Sequence, residues 1–344
     1  MTDPRGLDTA AVAAWLASTV PDAVAGPLEA SLITGGKSNL TYLVTDGTHD
    51  YVVRRPPLGH VLATAHDMAR EHRVMAALAP TPVPVPAMVA LCEDVDVIGA
   101  PFYVMQRVDG TPYSRAAQLE PLGADRTRII SERMVDTLVA LHAVDHRAVG
   151  LGEFGRPDGY IARQVSRWKK QLAASTSREL PGMDELVTYL DSRTPAQGEG
   201  TIVHGDFRLD NLLVDTDPIS GADRVTAVLD WEMSTLGDPL TDVALLLAYQ
   251  QLAHAAPASA AVVTDAPLAP GYLDSEAVLA RYAAGSGRDV SDIGYHLSLA
   301  YFKLAVILEG IHFRHAQGQT VGSGFDGIGD MIVPLIDAGR AASR

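Results

Sequence analysis

The sequence predicts an α+β chain in two lobes, a small N-terminal antiparallel sheet lobe followed by a larger, mainly helical C-terminal one. Three observations predict it. Short runs rich in β-branched and apolar residues alternate with turn formers between residues 31 and 108. Beyond residue 126 the apolar positions instead recur close to every 3.6 residues. Between the two patterns, Asp109-Gly110-Thr111-Pro112 is a run of turn formers and divides the chain into residues 1–109 and 110–344.

Asp8 is placed to cap a first helix through Val12, Trp15 and Leu16 to about Ser18, with Pro21 as its stop. Residues 31–44 read as strand, Gly35-Gly36 turn, strand. The glycines there, with Ser38 and Asn39, would expose backbone N–H groups able to meet phosphate oxygens. The next strand, residues 51–55, ends in Arg54 and Arg55, whose side chains must face opposite sides of the sheet. Arg54 is assigned to the cleft side. A helix over residues 65–78 carries Glu71, the expected ionic partner of Arg54. Residues 80–86, four prolines in seven, read as an extended connector to strands at 88–92 and 102–108.

In the second lobe, residues 126–142 read as a core helix, with apolar residues at Ile129, Ile130, Met134, Val135, Leu138 and Leu141 close to the 3.6-residue period. His142 and His146 are four apart but lack the Glu of a zinc peptidase motif. Another buried helix begins after Gly237-Asp238-Pro239, where Asp238 and Asp242 read as loop braces or helix-start carboxylates. Residues 250–270, rich in Ala and Pro, read as a mobile insertion on the substrate side, and residues 291–317 as a long helix. Glu309, His312 and Arg314 on that helix are candidates either for an acceptor pocket or for an ordinary polar face.

The most informative segment is His204-Gly205-Asp206, four residues, then Asn211, with apolar strands at 201–203 and 212–214 on either side. A turn-rich stretch after Asp215 and a strand at 225–229 form a hairpin that would bring back Asp230. Asp and Asn also occur between strands for backbone reasons alone. As a set, however, these residues match what phosphoryl transfer needs: a carboxylate to take the proton of an attacking hydroxyl, and separated oxygen ligands for magnesium. Asp206 is the candidate base; Asn211 and Asp230 are the candidate metal ligands. His204 is expected to brace the loop.

At 344 residues and 47% hydrophobic content the chain can bury a sizeable core. A net charge of −15 argues against nucleic acid as partner. No apolar run reaches the roughly 18 residues of a membrane helix, and the N-terminus lacks a signal-peptide layout, so a cytoplasmic enzyme is expected. The single Cys92 excludes an internal disulfide and is expected to pack in a strand. Oligomeric state is not legible.

With Gly35-Gly36-Lys37-Ser38-Asn39, the Arg54 strand, the Asp206/Asn211 loop and Leu229-Asp230-Trp231-Glu232 in this order, the chain resembles the aminoglycoside phosphotransferase and choline kinase superfamily over roughly residues 26–335. The resemblance implies a protein-kinase-like fold, ATP and Mg2+ as cofactors, and a small-molecule hydroxyl as phosphate acceptor. Asp206 carries over as base and Asn211 and Asp230 as metal ligands, while Gly35, Gly36, Ser38, Asn39, Arg54 and Glu71 fall in the nucleotide-binding lobe. Arg54 stands where the protein-kinase pattern has Lys. The run Val52-Val53-Arg54-Arg55-Pro56-Pro57 looks most like the branch associated with acyl-CoA dehydrogenases, some of whose members phosphorylate 4-hydroxyacyl-CoA thioesters. The acceptor is thus expected among hydroxyacyl-CoAs or aminoglycosides. The alternatives are a nucleotide-binding pseudoenzyme or regulator, motivated by Arg54, and a haloacid-dehalogenase-like phosphatase, whose Asp-x-Asp motif is missing.

Overall fold

A computed structural model describes residues 3–33, 39–58, 66–175, 178–196, 198–217, 223–255, 264–318 and 327–343. The chain resolves into two compact units, Met1–Gly110 with Thr226–Ser234, and Thr111–Val225 with Thr235–Arg344. The first boundary falls at the turn-rich run. A short second segment, which a single linear division does not convey, carries Asp230 and Glu232 into the first unit.

The first unit contains α1 (Thr9–Thr19), β1 (Glu29–Leu32), β2 (Leu40–Thr45), β3 (Asp50–Arg55), α2 (Met68–Leu78), β4 (Met88–Cys92) and β5 (Phe102–Gln106). Its five strands are ordered β1-β2-β3-β5-β4, and every neighbouring pair is antiparallel. Asp8 caps α1 by accepting from the Ala11 N–H at 2.8 Å, as expected from its position before the apolar run. The alternation of β3 determines the lobe's layout. Tyr51 and Val53 join Val12 and Leu16 of α1 in one core, with Phe102 and Val104 beside them. Arg55 shares that face, where its guanidinium donates to the carbonyls of Gly6 and Ile98. Val52 and Arg54 therefore point the other way.

The helix expected from residue 65 begins instead at Met68, because Asp67 caps it by accepting from the Arg70 N–H at 2.9 Å. The connector at 80–86 is extended, and the Pro84 carbonyl accepts from Val228 N–H. Cys92 is buried in β4.

The second unit contains α3 (Ala116–Leu119), α4 (Ala124–His142), α5 (Tyr160–Ser175), α6 (Met183–Ser192), β6 (Thr201–Val203), β7 (Leu212–Asp215), the start of β8 (Arg224–Val228), β9 (Thr235–Gly237), α7 (Leu240–Ala255), α8 (Ser275–Ser286), α9 (Ile293–Ala316) and α10 (Ile332–Ala342). Strand β6 pairs with β9 in antiparallel register, Ile202 opposite Leu236. The core of this unit is built around α9: Leu299, Phe302, Leu304 and Leu308 meet α5 through Trp168, α7 through Leu245 and α10 through Ile332 and Ile336.

Two expectations need correction here. Residues 250–255, placed in a mobile insertion, are the last turns of α7, and Gln250, Leu252 and Ala253 are buried. Ala253 is packed in the core and Ala255 is exposed, and residues 256–263 lie outside those described. Glu309 lies on neither an acceptor pocket nor an exposed face: it is fully buried and paired with Arg178, whose Nε and Nη2 reach it at 3.1 and 3.0 Å.

Candidate active site

Arg54 on β3 sits directly across from Tyr103 on β5, so both side chains leave the same face of the sheet toward α2. Glu71, in the first turn of α2, receives both. Its Oε2 lies 3.2 Å from Arg54 Nε and accepts from the Tyr103 hydroxyl at 3.0 Å, while Oε1 accepts from Asn39 Nδ2 at 3.1 Å. The Arg54 guanidinium also reaches Asp230 Oδ1 at 2.5 Å and lies 3.8 Å from Glu232 Oε2. Asn39 makes a further bond to Glu232 at 3.2 Å. Three carboxylates thus surround one guanidinium, an excess of negative charge that a bound cation would offset.

Asp230 holds a left-handed backbone, φ 63° and ψ 59°, immediately before the 3-10 turn at Trp231–Met233. For a residue with a Cβ this conformation costs roughly 1 kcal/mol or more, and such strain persists where the surroundings over-determine it. Here Trp231 is buried with its indole N–H on the Val228 carbonyl, and Arg70 holds the Ser234 carbonyl at 3.1 Å. The loop is therefore anchored on both sides of Asp230.

Burial lifts the Glu71 carboxyl to about 7, more than the nearby Arg54 and Tyr103 lower it, with Asp230 and Glu232 adding to the rise. The linkage sign follows directly. Because the folded state holds this proton more tightly than the unfolded chain, the favourable contribution is full below the ordinary carboxylate range and is lost as pH rises through about 7. Denaturant unfolding of wild type and Glu71→Gln from pH 5 to 8 is expected to show the wild type losing stability relative to the variant as pH rises. A constant difference would show that Glu71 does not titrate there.

The second unit presents Asp206. The loop between β6 and β7 is pinned by Asp242, fully buried in the first turn of α7, whose carboxylate accepts from His204 N–H and Gly205 N–H, each at 2.7 Å, and lies 3.2 Å from His142 Nε2. Burial alone would raise the Asp242 carboxyl, but His142, His204 and the Gly205 N–H outweigh it and hold the group below its usual range. Gly205 has φ 87°, a left-handed conformation that glycine adopts without strain. The His204 ring takes the Asp206 N–H at 3.2 Å, so this histidine braces the loop.

Asn211 then locks onto Asp206: its Nδ2 donates to the backbone carbonyl at 2.8 Å and to Oδ2 at 3.2 Å. The amide Oδ1, the atom a metal ion needs, is left outside those bonds. Arg208 Nε lies 3.5 Å from Asp206 Oδ1, and its guanidinium stacks over Tyr249, 4.4 Å from the ring centre. Replacing Asp242 by Asn is expected to destabilise the fold by about 3 kcal/mol, because an amide presents donors to backbone donors and leaves buried groups unpaired. Urea denaturation measures this, and a loss within experimental error would remove Asp242 as the brace.

The structure thus gathers Asn39, Arg54, Glu71 and Asp230 in the first unit, and Asp206 with Asn211 in the second. Gly35, Gly36 and Ser38 lie outside the described residues. Asp242, read as a loop brace or helix-start carboxylate, is both; three contributors went unread in the sequence: Tyr103, Glu232, and Lys303 of α9, whose Nζ donates to the Gly205 carbonyl at 3.0 Å. Among the described residues no group of three or more His, Cys, Asp or Glu side chains is poised to enclose a metal ion, and no helix is long and apolar enough to cross a membrane. The donors at Asp230 and Asn211 are oxygens, which suits magnesium, an ion that keeps several waters and takes substrate phosphates as ligands.

The five-stranded antiparallel sheet unit and the mainly helical unit are those of a kinase-like fold, the first carrying a basic residue paired to a helix Glu beside a strained Asp and the second an Asp/Asn loop between short strands. The chain belongs to the Phosphotransferase enzyme family, whose sequence profile matches residues 29–284. It is 35% identical to an aminoglycoside phosphotransferase, so named provisionally, from Ralstonia eutropha, whose crystal structure superposes with a TM-score of 0.83 over 98% of both chains. It is also 37% identical over 306 residues to acyl-CoA dehydrogenase family member 10 of Mus musculus, covering 86% of this chain and 27% of that protein. The chain therefore spans about a quarter of that relative's length. An aminoglycoside phosphotransferase solved as a ternary complex with ADP and hygromycin B shares the fold, with 15% identity and a TM-score of 0.61 over 97% of this chain and 98% of that one.

Proposed function

We propose that this chain transfers the γ-phosphate of ATP to a hydroxyl of a small molecule. The observation that carries the reading is the Asp206–Asn211 pair, a carboxylate held by the Asn211 amide on a loop whose backbone is braced by Asp242 and His204. Asp206 accepts the hydroxyl's hydrogen bond, orients its oxygen toward the phosphorus, and takes the proton late, because a loose transition state rewards positioning over basicity. Arg54, aligned by Glu71, supplies a permanent positive charge for phosphate oxygens. Asp230 and Asn211 Oδ1 would hold magnesium, which when bound neutralises charge on the transferring phosphoryl group.

The family membership and the ADP seen in the hygromycin phosphotransferase support a nucleotide as donor. The acceptor is a hydroxyacyl-CoA or an aminoglycoside: the likeness to a protein named for acyl-CoA dehydrogenases supports a CoA thioester, and the Ralstonia relative's name supports an aminoglycoside. A cytoplasmic enzyme, with no role on nucleic acid or membrane, completes the reading. The Arg54–Asp230 ion pair favours a second one, a nucleotide-binding regulator in which the arginine occupies the carboxylate that magnesium would use.

Transfer of label from γ-32P-ATP to each candidate acceptor, resolved from inorganic phosphate, separates the two. Labelled acceptor establishes the transferase. Nucleotide binding with no labelled acceptor in any class selects the regulator.

A further inference from the structure

Helix α7 meets the β6–β7 loop at two points on one face. Asp242, in its first turn, takes the His204 and Gly205 N–H groups. Tyr249 stands seven residues on, two turns further along the same face. Its ring packs partly buried against the core of the second unit, and the Arg208 guanidinium stacks over it. Its hydroxyl is hydrogen-bonded to the Asp206 side chain. Asp206, Arg208, Asp242 and Tyr249 all belong to the second unit. One helix therefore holds the backbone of the loop at one point and its carboxylate at the other.

Chemistry settles the direction of that bond. Burial raises the pKa of the Tyr249 hydroxyl, Asp206 and Asp210 add to the rise, and Arg208 opposes it, so the group keeps its proton and is the donor. Asp206 is thus engaged on several sides. Asn211 Nδ2 donates to Oδ2 at 3.2 Å, Arg208 Nε lies 3.5 Å from Oδ1, and the phenol supplies a further donor. Arg208 is itself tied down, its Nη2 3.0 Å from Asp210 Oδ2 and its guanidinium over the Tyr249 ring. A carboxylate has about four lone-pair positions, so neighbours on this many sides stop it turning about its Cβ–Cγ bond and aim the remaining positions in one direction. Phosphoryl transfer rewards that, because the proposed base works by orienting a hydroxyl more than by basicity.

Resting on the phosphotransferase reading above, we infer that Tyr249 is the positioning residue of the proposed base: its hydroxyl fixes the rotation of the Asp206 carboxylate, and its ring seats Arg208 beside that carboxylate. Asp242 places the loop, and Tyr249 places the side chain that the loop carries. Tyr249 acts through Asp206 and not on the substrates, so its loss falls on turnover and spares nucleotide binding.

The test is the rate of label transfer from γ-32P-ATP with magnesium, on the full chain, with 4-hydroxypentanoyl-CoA, kanamycin and choline as acceptor probes. Rates are compared on whichever probe the wild type labels. Tyr249→Phe deletes the hydroxyl alone, and Tyr249→Leu deletes the seat of Arg208 as well. The Phe variant is expected to lose about tenfold to a hundredfold in kcat, as loss of a hydrogen bond to a charged group does, with KM for ATP within about twofold and the urea midpoint unchanged. The Leu variant should lose more. Added to Asp206→Ala, the Phe substitution should cost no further rate, because the group it acts through is gone. If Tyr249 only packs, Tyr249→Phe keeps the wild-type kcat and Tyr249→Leu loses stability alone, which overturns the inference. The same loss with and without Asp206 overturns it too, as does a fall in ATP affinity that accounts for the whole effect. No labelled probe in wild type removes the phosphotransferase reading and the inference with it, whereas a labelled probe at an unaltered rate in Tyr249→Phe removes the inference alone.

Discussion

Asp206→Ala is expected to abolish acceptor-dependent ADP release, by about 10^2 to 10^4-fold, while leaving ATP affinity within about twofold. The split follows from what each neighbour does. The β6–β7 loop does not depend on the Asp206 carboxylate alone, since its backbone is carried by Asp242 and the His204 ring. Truncating the carboxylate removes the group that orients the hydroxyl and leaves the scaffold in place. Asn211 keeps its bond to the backbone carbonyl of residue 206, so its placement survives as well. A variant that turns over normally would take Asp206 out of its role. One that loses ATP binding in parallel would recast it as a structural residue.

The second large effect is expected at Arg54. Replacing it by Ala leaves Glu71, almost fully buried, without its cation and removes the contact to Asp230, so stability should fall by about 3 kcal/mol. Productive ATP binding should weaken beyond what stability explains, because the phosphate-facing charge is gone. Lysine at this position keeps the charge but has no planar fork to reach Glu71 and Asp230 at once. Comparing urea midpoints and ATP affinities of Arg54→Ala with those of Glu71→Gln separates the two contributions. Equal ATP affinity in wild type and Arg54→Ala would sink the assignment.

What the sequence revealed is local in origin. The Asp206/Asn211 spacing spans six residues between two short strands, so a single loop determines the geometry and the residue pattern shows it directly. Arg54 was separable from Arg55 because strand alternation needs only nearest neighbours, and the two arginines do face opposite sides of β3. Partners at long range were not legible: Asp242 read as a brace without the loop it holds being named, and Lys303 was not read at all. Asp242 meets the loop 38 residues away and Lys303 meets Gly205 98 residues away, separations that no spacing rule constrains.

A signal existed nonetheless. Both are charges set in strongly apolar helices, Leu240-Thr241-Asp242-Val243-Ala244 and Tyr301-Phe302-Lys303-Leu304-Ala305, where a charge is costly to bury unless something engages it. Glu309, in the same helix as Lys303, carried the same signal and answers to Arg178. The mobile insertion expected from residue 250 failed over residues 250–255 for a related reason. Alanine in a loop and alanine in a packed helix look alike until the partner helix is known.

The most direct measurement is ADP release with magnesium and ATP against hydroxyacyl-CoA thioesters, an aminoglycoside panel and choline-like alcohols, with Asp206→Ala as the blank. The expected result is release stimulated by one acceptor class and absent from the blank. Release that persists in Asp206→Ala, or silence across all three classes with ATP binding intact, would contradict the account.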